Sequence, residues 1–352
     1  RFTPELVKFL RECVIHGIEH ISEAPSRILG DRLASFRDVM IQDSTIFRLH
    51  KSLADKWPAP RSRKVAAGVK VAFLTSAIAN SPKSISILPE NTNDVKTLKI
   101  GPWVKDIILL IDLGFYKYQL FSRIVENGGS FVSRLKSNAN PLIVGTNQVR
   151  NTRGVDLNGK HLKDIKLEKS DDIFDVNVEV SFDRRSYRGE SKKDNKIFRL
   201  VAIYNTESEE HHFYLTNISS DILNASEVAA VYSGRWEVEL IFKELKSRYA
   251  LDQITTKSPY AIEALIWVSI LTLLVSRKLY SIVRKLNPGA KMVRFTQLRW
   301  SNIFVQNFSH LLSAILDYLG IEHDFSTVLN VCSSEALDQH VNRERFRAGL
   351  WS

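Results

Sequence analysis

Tyr232, Arg235, Glu239 and Lys246 carry complementary chemistry and recur late in the chain at steps of three, four and seven. Between Ser226 and Tyr249 there is no proline and a single glycine, and apolar residues return every three or four positions, so the spacing predicts one long helix. At ~100° per residue the four side chains fall within roughly 60° of one another. Val238, Ile241, Phe242, Leu245 and Tyr249 occupy a separate arc able to face a core, and Glu237 and Glu244 are expected to point to solvent. A carboxylate flanked along its own face by an arginine, a lysine and a tyrosine suits a metal ligand beside phosphate-binding groups. An ordinary account also fits, since Glu239 and Lys243 form an i,i+4 pair and a charged helix face is usually only solvated. From the helix alone that account is the simpler one.

Two further carboxylates sit where strands are expected. Val39 to Leu49 is rich in β-branched and aromatic residues, with Asp43 in its middle. Aspartate is depleted in strands, so either the strand breaks into a turn at Asp43-Ser44 or the carboxylate has a task. Ile107 to Ile111 is a wholly apolar run ending at Asp112-Leu113-Gly114-Phe115. A strand buried on both faces puts Asp112 at its carboxyl end, where open α/β sheets carry their sites; a turn or helix N-cap is the structural alternative.

Basic side chains gather in two further places. Arg134, Lys136 and Asn138 follow a predicted strand at Phe131 to Lys136, where they suit phosphate oxygens or simply solubilise a strand edge. Arg184, Arg185, Tyr187 and Arg188, with Lys192, Lys193 and Lys196, mark the tip of a predicted hairpin. Charge joined to an aromatic suits gripping a nucleic-acid backbone and stacking a base, and equally an exposed soluble loop.

Tyr, two residues, Arg, three residues, Glu, six residues, Lys resembles the YREK signature of the insertion-sequence-four (IS-four) family of DDE transposases. A chance match in a chain this long is on the order of a few in a thousand. Arg235-Trp236 and Phe242-Lys243-Glu244-Leu245-Lys246 also look like that family. So do Asp43-Ser44-Thr45, similar to its first aspartate motif, and Asp112-x-Gly-Phe with the helix, Gly128-Gly129 and strand that follow.

The resemblance runs from Asp43 to Lys246. It implies an α/β fold with a ribonuclease-H-like (retroviral-integrase-like) catalytic core, a β-rich insertion and helical N- and C-terminal regions. It further implies Asp43, Asp112 and Glu239 as catalytic residues and ligands of two magnesium ions, with manganese able to substitute. Tyr232, Arg235 and Lys246 would then hold phosphate near a transposon terminus. The implied activity is cut-and-paste transposition: binding of terminal inverted repeats, metal-dependent strand cleavage and strand transfer. The implied partners are double-stranded DNA at the transposon ends and target, and a second copy of the chain in a synaptic homodimer, with no membrane. The implied location is the cytoplasm of a prokaryote, nucleoid-associated when bound to DNA. Clustered carboxylates repel one another unless a hard cation neutralises them, which makes the arrangement intelligible. One departure is that some relatives place a tryptophan in the insertion to receive a flipped base, whereas none lies between Trp103 and Trp236; Tyr187 and Tyr214 are the candidate substitutes. The competing readings are a catalytically silent, transposase-derived DNA-binding protein and a metal-dependent nuclease without strand transfer.

The elements that must position these residues are expected in five parts: residues 1–36, a helical segment read as truncated; 37–140, the first part of the core; 141–222, the insertion; 223–256, the second part with the signature helix; and 257–352, a helical region. Leu6 to Ile21 follows helical spacing and Pro25 closes it; Val69 to Leu74 and Ser84 to Leu88 are further strands. Two late helices are expected at Ala261 to Leu286 and Ile303 to Leu319, the first with a core stripe at Leu265, Val268, Leu271, Val275 and Leu279. Its apolar run, Ala261 to Ser276, is shorter than the ~20 residues that span a bilayer. Of 352 residues 44% are hydrophobic, enough for a real core, and the net charge of +10 favours a polyanionic partner. Cys13 and Cys332 suggest neither a disulfide framework nor a cysteine zinc site, which fits a reducing compartment.

Overall fold

The computed structural model describes residues 2–22, 29–60, 66–149, 156–169, 173–184, 193–286, 295–308, 310, 311, 313 and 333. In chain order the elements are α1 (Pro4–Ser22), β1 (Asp38–Arg48), β2 (Gly68–Ser76), β3 (Ser81–Pro89), β4 (Ile107–Ile111), α2 (Tyr118–Glu126), β5 (Ser130–Arg134), β6 (Leu142–Val149), β7 (Ile173–Asp183), β8 (Lys193–Asn205), β9 (Glu210–Thr216), α3 (Ala225–Ser233), α4 (Trp236–Ser247), α5 (Pro259–Leu286) and α6 (Gln297–Gln306). The result is a mixed α/β fold with a large sheet. The chain divides into two units. One comprises Leu29–Asp43 and Asn93–Trp236; the other comprises Arg1–Ile28, Ser44–Thr92 and Glu237–Ser352.

In the unit that holds Asp112, strands run in the order β1-β4-β5-β9-β8-β7-β6. The first three are parallel, and α2 makes the crossover from β4 to β5. β4 is five consecutive aliphatic residues, all buried, as expected of a central parallel strand covered on both faces. The remaining pairings are antiparallel. Strands β6 to β9 all fall between Leu142 and Thr216, with Val176, Val178, Val180 and Phe182 buried. α2 lies on this sheet through Phe121, whose ring stacks on Phe131 with centroids 4.4 Å apart. Arg199 on β8 forks onto Asp175 of β7 at 2.9 and 2.6 Å and also donates to the carbonyls of Ile218 and Leu223. This buried clamp fixes the loop that launches α3, which Asn224 and Glu227 then cap reciprocally.

In the other unit β2 and β3 form an antiparallel hairpin. α1 packs against α5 and β3. The close approach needs Gly17, where a Cβ would stand 3.1 Å from Leu274 Cδ1. α4 rests on β2 through Phe242 stacked on Phe73. Beyond it Leu279, Tyr280, Val283, Phe295, Trp300, Phe304 and Leu311 form an aromatic core cluster.

Three expectations are corrected. The single helix from Ser226 to Tyr249 is two, α3 and α4, parted at Gly234-Arg235. Ser233 turns its hydroxyl back to the Ala230 carbonyl at 2.6 Å, and Gly234 and Arg235 bond three residues back rather than four. A Ser-Gly pair is a usual cause of such a kink. Glu237 and Glu244 are buried, not solvated. The stripe Leu265, Val268 and Val275 on α5 is exposed and Leu271 half-buried, leaving only Leu279 of that set in the core. α5 runs to 28 residues and is long and apolar enough to cross a bilayer, but 56% of its most apolar window is buried within the protein. Pro25, the basic residues Arg61, Arg63 and Lys64, residues 185–192, the far end of the helix expected to reach Leu319, and residues 342–352 with Arg343, Arg345 and Arg347 lie outside the described residues.

Candidate active site

β1 does not turn at Asp43; it continues to Arg48, so the mid-strand aspartate is real. The register of β1 against β4 ends on Gln42 beside Ile111, which makes Asp43 and Asp112 the next neighbours across the parallel pair. Asp112 keeps extended backbone angles, φ −78° and ψ 165°, so the pleat carries on through it. Register partners project to the same side, with backbones ~4.8 Å apart. Two half-buried carboxylates therefore stand side by side, Asp43 in the middle of β1, where its pairing with β4 ends, and Asp112 just past the carboxyl end of β4. Asp112 opens a short 3-10 turn, Leu113–Phe115, its carbonyl accepting from the Phe115 N–H at 3.0 Å, but its side chain makes no capping bond to that turn. Gly114 lets that turn close against Asp94, whose Oδ2 would lie 2.9 Å from an added Cβ.

Asp43 is met by Arg235, whose Nη1 donates to Oδ2 at 3.0 Å. Tyr232 lies beside them. It is 7% exposed, its hydroxyl has no hydrogen-bond partner among the described residues, and its ring is 5.3 Å from that of Tyr214. Burial pushes the Tyr232 hydroxyl well above the usual phenol range; the cations Arg235 and Arg134 oppose the shift and Asp112 adds to it. The hydroxyl thus sits in the field of two cations and one carboxylate. Arg134 closes β5 opposite Tyr214 of β9 and is half-buried. Lys136 follows, its ammonium 5.4 Å from the ring of Tyr116. Asp43, Asp112, Arg134, Tyr232 and Arg235 accordingly belong to one unit.

Glu239 and Lys246 lie on α4 in the other unit. Both are half-buried, and Lys246 holds its ammonium 5.6 Å from the ring of Phe47. Arg184 is bound at the base of its hairpin, to Asp194 at 2.7 Å and to Glu126 at 2.6 Å. Arg185 and Arg188 lie outside the described residues. Tyr214 is buried against Tyr232, which leaves its ring no face for a base in this conformation. Sequence reasoning missed Arg277 and Arg199, each buried on a carboxylate far away in sequence. No local pattern could have announced either.

Among the described residues of either unit, no three acidic, histidine or cysteine side chains converge on a metal position. The donor set around Asp43 and Asp112 nevertheless fits one. Two hard oxygen donors of like sign on one face call for a cation, and in this structure Arg235 supplies the positive charge. A mixed α/β domain with acids arranged this way is of the class that can ligate a divalent cation beside a phosphate ester.

Residues 34–275 match the transposase DDE domain family. The transposase for insertion sequence element IS1151 of Clostridium perfringens is 25% identical over 280 residues, 72% of this chain and 59% of that protein. The transposase for element IS231F of Bacillus thuringiensis subsp. israelensis is 20% identical over 305 residues, 75% of this chain and 61% of that protein. The chain thus spans about three-fifths of the length of these curated relatives. A distant likeness, with TM-score 0.39 and 11% identity over 88% of this chain and 60% of the other, is to a piggyBac transposase in a synaptic complex with hairpin DNA. The chain belongs to the transposase DDE domain family, and membership implies dependence on a divalent cation.

Proposed function

We propose that the protein is a DNA transposase that binds the terminal inverted repeats of an insertion sequence and carries out metal-dependent strand cleavage and strand transfer. The observation that carries this reading is the juxtaposition of Asp43, in the middle of β1, with Asp112, just past the end of β4, with Arg235 on the first. Asp43, Asp112 and Glu239 are the proposed ligands. They would hold two magnesium ions, or manganese in their place, which when bound would supply charge neutralisation and Lewis-acid activation of the phosphodiester.

Arg235 forks onto the phosphate near the transposon terminus, Lys246 adds a point charge, and the Tyr232 hydroxyl donates its spare hydrogen bond. Arg134 and Lys136, with Arg184, Arg185 and Arg188 from the hairpin, track the DNA backbone. For Arg184 this means release from Glu126 and Asp194. The parallel run β1-β4-β5 with its α2 crossover supports a ribonuclease-H-like core. We read that core in residues 37–140 and 223–256, interrupted by the insertion at 141–222 and flanked by helical regions at 1–36 and 257–352. The working form is a synaptic homodimer on DNA, cytoplasmic and held at no membrane.

The test uses purified protein with the element's own terminal repeat. Magnesium-dependent release of the end and its joining to a target plasmid are expected, and Asp43→Asn, Asp112→Asn or Glu239→Gln should each lower cleavage by about three orders of magnitude with DNA binding kept. Binding without cleavage in magnesium or manganese would mark a silent DNA-binding protein. Release without joining would mark a nuclease.

A further inference from the structure

Among the described residues of the unit that contains α4, Glu244 and Arg277 form the most deeply buried ion pair. Glu244 is wholly buried, and Arg277 on α5 is 4% exposed. Arg277 Nη2 donates to Glu244 Oε2 at 2.6 Å, and the Tyr249 hydroxyl donates to Oε1 at 2.7 Å. The network goes on: Ser269 Oγ donates to the Tyr249 carbonyl at 3.4 Å, and Trp300 of α6 donates from Nε1 to the carbonyl and hydroxyl of Ser276. Arg277 Nε and Nη1 are buried with no partner among the described residues, so the pair is held at a cost. Burial pushes the Glu244 carboxyl up, against the pull of Arg277 and Tyr249.

A buried pair is weak evidence for stability, because well-packed apolar residues of similar volume would hold the helices as firmly. What it supplies is a unique register. Counted along α4 at ~100° per residue, Glu239 and Lys246 lie within roughly 20° of each other, and Glu244 projects roughly 140° away from Glu239. The rest of the buried face comprises the apolar Val238, Ile241, Phe242 and Leu245, whose non-directional packing fixes rotation less sharply than a hydrogen-bonded pair, and Glu237, seven residues before Glu244 on the same stripe. A 20° turn of a helix whose side chains reach ~6 Å from its axis moves a carboxylate by about 2 Å. A working ligand or phosphate contact must be held to ~0.5 Å.

We propose that Glu244 and Arg277 are positioning residues: their buried pair fixes the rotation of α4 about its axis and thereby the direction in which Glu239 and Lys246 project. The inference rests on the reading of Glu239 as a metal ligand, and the experiment separates the two. Glu244→Leu with Arg277→Met removes both charges together and leaves neither buried alone. The double variant should keep its melting temperature within a few degrees and its KM for the terminal repeat within about threefold, while kcat for cleavage falls ~10- to 100-fold. Manganese affinity without DNA, followed by electron paramagnetic resonance, should fall about fivefold. Adding Glu239→Gln to the double variant should cost far less than in the native background, the non-additivity expected of residues acting through one another.

Tyr249→Phe loses one bond to Glu244 without stranding a charge, and should lower kcat and manganese affinity in the same direction by a smaller factor. It decides the matter should the double variant fold poorly. Unchanged kcat and manganese affinity in Tyr249→Phe and in a folded double variant would overturn the positioning role, even with Glu239→Gln inactive. A Glu239→Gln variant with native cleavage and manganese affinity would overturn the role of Glu239 itself, and the positioning role with it.

Discussion

Asp43 is an uncommon residue for the middle of a strand, and its surroundings say why it is tolerated. Arg235 at 3.0 Å offsets its charge while Asp112, the next register partner, adds a second negative charge on the same face. The guanidinium therefore occupies the position where a cation is called for. Replacing Arg235 by glutamine should raise manganese affinity at these two carboxylates about fivefold, the equivalent of the ~1 kcal/mol that two unit charges exchange at 4 Å in a water-like medium. On the proposed role of Arg235 as a phosphate fork, the same change should weaken binding of the terminal repeat. Lysine there should restore the charge and only part of the DNA affinity. Manganese titration monitored by electron paramagnetic resonance reads the first effect; an affinity that stays put in Arg235→Gln means that Arg235 and the metal do not share Asp43. Both aspartates were legible in the sequence, since an acid inside a β-branched run and one ending a wholly apolar run each break a pattern. Whether Asp112 was only a cap needed the structure, which gives its side chain no capping bond.

Elements were legible where local periodicity governs them. The apolar run Ile107 to Ile111 is β4 to the residue, and the alternation of Val176 to Phe182 lies in β7. Legibility failed where a distant partner or a single backbone feature decides. Ser233-Gly234 parts the signature helix although the apolar spacing runs straight through it. Glu244 sits at the edge of the apolar arc and is buried because Arg277, 33 residues away, meets it there. The clamp of Arg199 on Asp175 is the same kind of feature between β7 and β8, and it makes these strands part of the frame that holds the start of α3. Arg199→Met strands Asp175 as a buried unpaired carboxylate and leaves two carbonyls without a donor. It should cost about 3–5 kcal/mol in urea unfolding. Arg199→Met with Asp175→Leu should recover a good part of that loss. If the single substitution costs under ~1 kcal/mol, β7 and β8 do not support the start of α3.

For the molecule as a whole, composition set one bound that the structure meets: a chain large enough for a real core. It could not decide which side of a nearly all-apolar helix faces inward. α5 buries Ile262, Ile266, Ile270 and Leu273, but it also buries Ser269, Ser276 and Arg277. Those polar positions make the buried face look the less hydrophobic of the two in sequence, so the pattern selects the opposite stripe at Leu265, Val268 and Val275. The structure exposes that stripe, Val275 at 40% and Val268 at 43%. The two faces make opposite predictions for one measurement. Val275→Lys should shift urea-unfolding stability by no more than ~0.5 kcal/mol, as for other surface changes. Leu273→Ala, at a fully buried position two residues earlier, should cost about 2–5 kcal/mol. A Val275→Lys loss as large as that of Leu273→Ala would mean that this face of α5 is covered in the native protein and that the apolar stripe is core after all.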